Sequence, residues 1–522
     1  MLKSPALRAA LGVLLCITGF LVSRVSHVRE TAVRIDAGGC QLVANVLDNG
    51  DDHVRGYVVL LHGLAANKEI MSYLARSFAA QNLRVFVPDL PGHGRTPGPF
   101  SPDRAQLCTE QMLRQLVLRG AVNPSLTILA GHSMGADILL RIAAHLPVAG
   151  LIAISPAPMR AGHLLRPEFL LYTHPPPAPA NTLVLNGTLE PKSIRDLSRD
   201  LLPSPLAASQ KYQIIRWATH ASLIVNRDAD NAMLDWTARV LGSNLTRASS
   251  PLLLLLPPLL GFLGLLFLAR PFLSELLAEP APVSVKTQPG TVPANAANRD
   301  VANFNASSST APSLLRIFLQ VLLCSIPVVL ALQFTHPLRF LHIFEGDYFA
   351  AFLLLLGILL LLLNRKRLTG LLEVAPSKLI GAVAAGLVFH LLITAWSDLT
   401  FSEAWLSLAR WARFPALLVA VLPYLLAEEV MLGPSEARYL KWRLAVAFLL
   451  RFLAWCTLLA GILILHSGQM LVVLMAPYIA LFCLFQRAGM DAVRKDTGSA
   501  LAAALFGAIL LAGFCLVIFP VT

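Results

Sequence analysis

Residues Ile128–Leu140 read ILAGHSMGADILL. An apolar run leads into Gly-His-Ser-Met-Gly, and a second apolar run follows, so a buried strand hands over to a helix between two glycines. A nucleophile on a tight strand-to-helix turn sits in a strained backbone, and only small flanking residues allow neighbours that close. Gly131 and Gly135 supply them, with His132 inside the turn. The turn lifts the Ser133 hydroxyl above the sheet edge and aims a helix N-terminus at negative charge developing nearby. Serine alone is a weak nucleophile and needs a general base, which in turn needs an orienting acid.

Working outward, the chain alternates between two patterns. GYVVLL (Gly56–Leu61), LRVFVPDL (Leu83–Leu90), SLTILA (Ser125–Ala130), GLIAIS (Gly150–Ser155), NTLVLNG (Asn181–Gly187) and YQIIRW (Tyr212–Trp217) read as strands. Helical segments are expected near Lys68–Ala80, Pro102–Arg119, Met134–His145 and Asn231–Leu241. Continuous apolar strands separated by helices predict a parallel sheet covered on both faces, an α/β domain over residues 31–245.

In such a sheet reactive residues gather at the carboxyl ends of the strands. Four ends carry chemistry: His62-Gly63-Leu64, Ser133, Glu190 in NTLVLNGTLEP, and His220 in RWATHASLI. With DLPGHG (Asp89–Gly94) they stand in an order that resembles the α/β-hydrolase superfamily over Tyr57–Leu241. The family order is nucleophile, acid, histidine. The resemblance therefore implies Ser133 as nucleophile, His220 as base and Glu190 as orienting acid, with the backbone N–H groups of Leu64 and Met134 as the oxyanion hole. Asp196 and Asp200 are rival acids, expected to be solvated; GLIAISPAP offers no acid at its end. Asp89 and His93 read as structural, and His163 and His174 as solvent-facing. Pro156–Ala180 is too short for a large lid, so an open site is expected.

Beyond this domain the chain changes character. The whole has 522 residues, 56% hydrophobic and only 14% charged, far more apolar than a soluble protein. Pro251–Ala269 carries no charge over its length and can cross a hydrocarbon core of about 30 Å. Ile317–Thr335, Tyr348–Leu363, Leu379–Trp396, Phe414–Ala427, Leu444–Leu465, Gln469–Phe485 and Ser499–Phe519 are comparable. Residues 1–30, with Lys3 and Arg8 before an apolar stretch, read as an uncleaved signal anchor. The expected layout is thus this anchor, the α/β domain, a span at 251–270, a Pro/Ala/Ser/Asn-rich linker at 271–313 read as disordered, and about seven helices over 314–522: an all-α transmembrane bundle.

The formal net charge of +12 reports topology here, not nucleic-acid binding. With the N-terminus cytoplasmic, the inner loops hold Arg365, Lys366, Arg367, Lys378, Arg438, Lys441, Arg443, Arg487, Arg494 and Lys495. The outer ones hold Arg339, Arg410 and Arg413, and the α/β domain falls outside. His390, Glu428, Glu429 and Arg451 lie in or at the ends of spans. Pairing of the glutamates with Arg451 is one reading, and interfacial snorkelling is the preferred one. Seven cysteines offer no metal spacing; an extracytoplasmic location permits a disulfide between Cys40 and Cys108, but two buried free thiols are the preferred expectation.

These residues together point to a membrane-bound serine hydrolase. It would cleave a carboxylic ester, thioester or amide of a small-molecule or lipid substrate through an acyl-enzyme, with no metal or organic cofactor. The alternatives are an acyltransferase using the same groups, and a transporter or sensor whose hydrolase-like domain binds without turnover.

Overall fold

The computed structural model describes residues 4–24, 28–51, 53–156, 178–202, 209–246, 250–277, 314–368, 374–433 and 443–522. His163, His174, Arg438, Lys441 and most of the linker lie outside the described residues. After helix α1 (Pro5–Ser23) come β1 (Arg29–Ala37), β2 (Cys40–Asp48), β3 (Gly56–Leu61), α2 (Ser72–Ala79), β4 (Leu83–Pro88), α3 (Pro102–Leu118) and β5 (Thr127–His132). Then follow α4 (Met134–Ala143), β6 (Gly150–Ile154), β7 (Thr182–Gly187), α5 (Lys192–Arg199), β8 (Gln210–Ile215) and α6 (Arg227–Leu241).

The strands form one sheet in the order β1-β2-β4-β3-β5-β6-β7-β8. From β4 to β8 all pairs are parallel. β1 and β2 add an antiparallel hairpin at one edge. Strands β5, β6 and β7 are buried along their whole length, because helices cover both faces. α3 and α4 close one core through Met112, Leu113, Ile138 and Leu139. α2 and α6 close the other through Leu74, Phe78, Met233 and Trp236. Each such side chain contributes about 1.5–3 kcal/mol by leaving water.

Cys40, at the start of β2, and Cys108, in α3, form a disulfide across a Cα–Cα distance of 5.5 Å. The expectation of free thiols is corrected: the hairpin edge folds onto α3 and brings the two cysteines within bridging range.

Nine helices among the described residues are long and apolar enough to span a membrane. They are α1, α7 (Leu252–Leu276), α8 (Leu314–Ala331), α9 (Gly346–Leu363), α10 (Pro376–Thr400), α11 (Leu408–Leu432), α12 (Arg443–Ile464), α13 (Met470–Thr497) and α14 (Ala500–Ile518). α1 packs on α7 through small residues, where a Cβ on Gly12 would lie 2.8 Å from the Gly264 carbonyl oxygen. Such close approach is how helices associate in lipid.

The bundle's ionisable residues are not snorkelling. Glu428 takes two hydrogen bonds from Arg451 at 2.9 and 2.7 Å and lies 3.3 Å from Arg487. Glu429 pairs with Arg443 at 2.8 Å and with Arg487 at 2.5 Å. All five are buried. Arg487 is also not a loop residue, since α13 runs on to Thr497 with this charge neutralised inside it. A buried charge is tolerated only when paired in this way.

Among the described residues the bundle meets the α/β domain at the carboxyl ends of the strands, and Leu254 of α7 packs on the α2/α6 core. Phe344, between α8 and α9, packs against both the bundle core and the α3/α4 core. Phe100 donates its N–H to the Val521 carbonyl at 2.8 Å. The Arg410 guanidinium of α11 reaches the Gly92 carbonyl at 3.3 Å. These contacts fall on the loop after β4, at the carboxyl ends of the strands.

Candidate active site

Ser133 links β5 to α4 with φ 52° and ψ −118°, a conformation that L-residues adopt only where surroundings enforce it. The glycines show what enforces it. A Cβ on Gly131 would lie 2.5 Å from the Gly135 carbonyl carbon, and one on Gly135 would lie 2.6 Å from the His62 carbonyl oxygen. Helix α4 therefore presses against the ends of β5 and β3, and any side chain at either position would push the turn open. The loop after β3 runs alongside: a Cβ on Gly63 would lie 3.1 Å from Ser133 Cβ. The next residue in that loop is Leu64, and Met134 opens α4, so the two backbone segments expected to supply an oxyanion hole flank Ser133.

His220 follows β8 and brings Nε2 to 3.0 Å from Ser133 Oγ. Its Nδ1 lies 2.9 Å from Glu190 Oε1. With Nδ1–H donating to the carboxylate, the Nε2 lone pair faces the serine hydroxyl. Glu190, on the turn after β7, accepts further hydrogen bonds from Asn186 Nδ2 at 2.9 Å and Gly187 N at 2.6 Å. Burial works against its charge. The bonds from His220, Ser155, Asn186 and Gly187 outweigh burial and hold the carboxyl below its usual range.

Ser155 completes the group and was not anticipated. It stands at the end of β6, with φ 44°, where the sequence offers no acid. Its Oγ contacts Glu190 Oε1 and lies 2.7 Å from His220 Nδ1. The only signal was its position, a hydroxyl at a strand end next to the β7 end that carries Glu190. His132, inside the Gly-x-Ser-x-Gly turn, is buried and its ring is held neutral, with burial lowering it to about 3. A neutral ring can donate from Nε2 to the His220 carbonyl, 2.9 Å away, which fixes the loop that carries the base.

Of the rival acids, Asp196 lies on α5 and Asp200 caps its end in solvent. Asp89 and His93 are buried and hold the loop after β4. His62 Nε2 accepts from the Leu90 N–H at 3.0 Å, tying the β3 and β4 loops together. Residues 157–177, on which the expectation of an open site rests, lie outside the described residues; the β3 side of the site is covered. There Leu64 and Ala65 pack against the bundle core, and Ser133 is only 8% exposed. Among the described residues no cluster of His, Cys, Asp or Glu could hold a metal ion.

The family model described as "Alpha/beta hydrolase family" matches residues 58–291. A monoacylglycerol lipase from Mycolicibacterium smegmatis is 34% identical over 125 residues, 24% of this chain and 44% of that protein. The chain thus spans less than half the length of that relative. Among solved structures, a serine hydrolase without a lid from Xanthomonas campestris is 19% identical with a TM-score of 0.34, covering 41% of this chain and 97% of its own. An esterase from Pyrobaculum calidifontis is 16% identical with a TM-score of 0.33, covering 46% and 99%. The chain carries an N-terminal α/β-hydrolase domain, followed by a cluster of long apolar helices consistent with a multi-span membrane region.

Proposed function

We propose that this protein is a membrane-bound serine hydrolase acting on a lipid carboxylic ester. The observation that carries the reading is the unbroken contact path from Ser133 Oγ through His220 to Glu190, at 3.0 and 2.9 Å, on a strained turn at a helix N-terminus. Ser133 attacks the carbonyl carbon while His220 Nε2 takes its proton. The amides of Leu64 and Met134 receive the oxyanion, each worth about 3 kcal/mol. His220 then returns the proton to the leaving alcohol, and a water deprotonated by the same nitrogen releases the acid. An ester is favoured because the partly similar relative is a monoacylglycerol lipase and because the site adjoins apolar spans; thioester and amide carbonyls would follow the same steps.

The catalytic unit corresponds to residues 31–245. We place it on the extracytoplasmic side for two reasons. Arg365, Lys366, Arg367 and Lys378 lie at the bundle end opposite the sheet, the end that basic residues keep in the cytoplasm. The Cys40–Cys108 disulfide belongs in an oxidising compartment. The test is labelling of membranes with a fluorophosphonate probe. Wild type should label, and Ser133→Ala and His220→Ala should not. A folded wild type that stays unlabelled refutes the reading and favours a binding-only domain.

A further inference from the structure

The loop after β3 has two neighbours. On one side Gly63 touches Ser133. On the other the loop is held by the bundle, through the short segment between α10 and α11. Asn67 Nδ2 donates to Ser402 Oγ at 3.0 Å and to the Glu403 carbonyl at 3.1 Å. Lys68 is buried between two carboxylates: its Nζ lies 2.8 Å from Asp89 Oδ2 and in contact with Glu403 Oε1. Its backbone N–H is held by Asp89 Oδ1 at 2.8 Å. Arg95, on the loop after β4, reaches Glu403 Oε1 and Asp398 Oδ2, both at 3.0 Å. The Glu403 side chain is only 5% exposed, so this is an internal joint and not a surface contact.

Burial opposes the Lys68 charge, but Asp89 and Glu403 outweigh it and raise its pKa. Glu403 itself is pushed up to about 8 by burial and by the neighbouring Asp89 charge. Lys68, which bridges both carboxylates, and Arg95, which pairs with Glu403, make this pair tolerable, and the loop bearing Lys68 cannot shift without breaking the joint. Between the joint and Ser133 lie five residues, Gly63 to Asn67. Ala65 sits at φ 62°, and Ala66 closes a turn back to the Gly63 carbonyl. A tight turn of this kind passes a displacement at Lys68 on to the Leu64 amide.

We propose that Glu403, in the membrane bundle, is a positioning residue for the oxyanion hole of the hydrolase domain, acting through Lys68 and Asn67 on the Leu64 N–H. The bundle then completes the catalytic site as well as anchoring it. This rests on the hydrolase reading above. An oxyanion donor must lie about 2.7–3.1 Å from the developing charge. Displacing it weakens the transition state more than the bound ester, so kcat falls while KM holds.

The test uses the full-length protein in detergent, with a p-nitrophenyl acyl ester as substrate and the fluorophosphonate as probe. Glu403→Gln should lower kcat by about 10- to 100-fold with KM within about twofold, in protein that a melting curve shows to be folded, and slow labelling in parallel. Glu403→Asp should recover most of the loss. Asn67→Ala, which removes both bonds to the bundle loop, is the second variant and carries the test if Glu403→Gln does not fold; it should lower kcat about fivefold or more. Wild-type kcat in either folded variant, or a loss expressed only in KM, overturns the proposal. The two readings fail separately: an unlabelled wild type removes the hydrolase reading, whereas labelled wild type with equally reactive Glu403→Gln and Asn67→Ala removes only the joint.

Discussion

Glu190→Gln changes a single group and tests what the carboxylate does. Oε1 faces His220 Nδ1 and Ser155, while Oε2 faces Asn186 Nδ2 and the Gly187 N–H. Glutamine can put its oxygen on only one of these sides. Turned with the NH2 toward Gly187, it sets donor against donor at 2.6 Å, so the oxygen takes the Gly187 side and the NH2 faces His220. Nδ1 must then accept, which moves the ring proton to Nε2 and aims it at Ser133 Oγ, 3.0 Å away. The serine faces a donor in place of a base, although no atom has moved far. Misplacing the tautomer in this way costs about 10⁴ in kcat in a Ser-His-Asp enzyme, or about 5.5 kcal/mol. The expected result is a fall of about 10³–10⁴ in kcat/KM for p-nitrophenyl ester hydrolysis, with the melting temperature within a few degrees of wild type. Ser155→Ala is the control: it removes a neighbour of Nδ1 and leaves the carboxylate, so the loss should be about tenfold or less. Retention of more than about a tenth of wild-type activity by Glu190→Gln would refute the assigned role.

Three further outcomes concern stability. Breaking the disulfide with Cys40→Ser should destabilise the domain by about 2–4 kcal/mol, given the sequence separation of 68; alkylation of the denatured, unreduced protein should find five free thiols among the seven cysteines. Burial pushes the Asp230 carboxyl from 3.8 up to about 7. The folded state therefore holds its proton more tightly than the unfolded state, and stability falls as pH rises from about 4 through 7, by at most about 4 kcal/mol. Melting curves at pH 5 and pH 8 should differ less for Asp230→Asn than for wild type, and an unchanged difference would dismiss Asp230 as the source. In the bundle, Arg451→Leu strands Glu428 beside Arg487 and should cost about 3–5 kcal/mol. The double change Glu428→Leu/Arg451→Leu should cost less than the two single changes added together; a double loss equal to that sum would mean the pair carries no coupling.

The central sheet and the serine turn were legible because both are local. Strands β3 to β8 announce themselves by short apolar runs, and Gly131 and Gly135 mark the turn within five residues, although Gly135 also meets the end of β3. The β1–β2 hairpin was not legible: β1 is exposed over its first four residues and lacks the buried-strand pattern. The Cys40–Cys108 bridge was missed with it, since nothing local says that the hairpin folds onto α3. Ser155 is hard to read in the sequence because a charge marks an orienting acid, and at the end of β6 a hydroxyl fills the place. Arg487 reads as a loop residue because an apolar run in sequence ends at its first cation. It stops there only if the charge meets no partner, and Glu428 and Glu429 belong to another helix. The joint at Lys68 is less legible still, for its two halves are 335 residues apart.

That separation has a consequence for biogenesis. The sheet and its serine turn are complete by Leu241, so a ribosome delivers the whole hydrolase fold long before it has made Glu403, Arg410 or Val521. A nascent chain with only its first spans inserted would hold a folded domain whose Gly63–Lys68 loop is tied to Asp89 but lacks its bonds to residues 402 and 403. Domains fold as units in order of synthesis, and here the first to fold waits for the last to insert. Esterase activity would then report completed membrane insertion, and a chain stalled before α11 would reach the membrane as a folded hydrolase with little turnover.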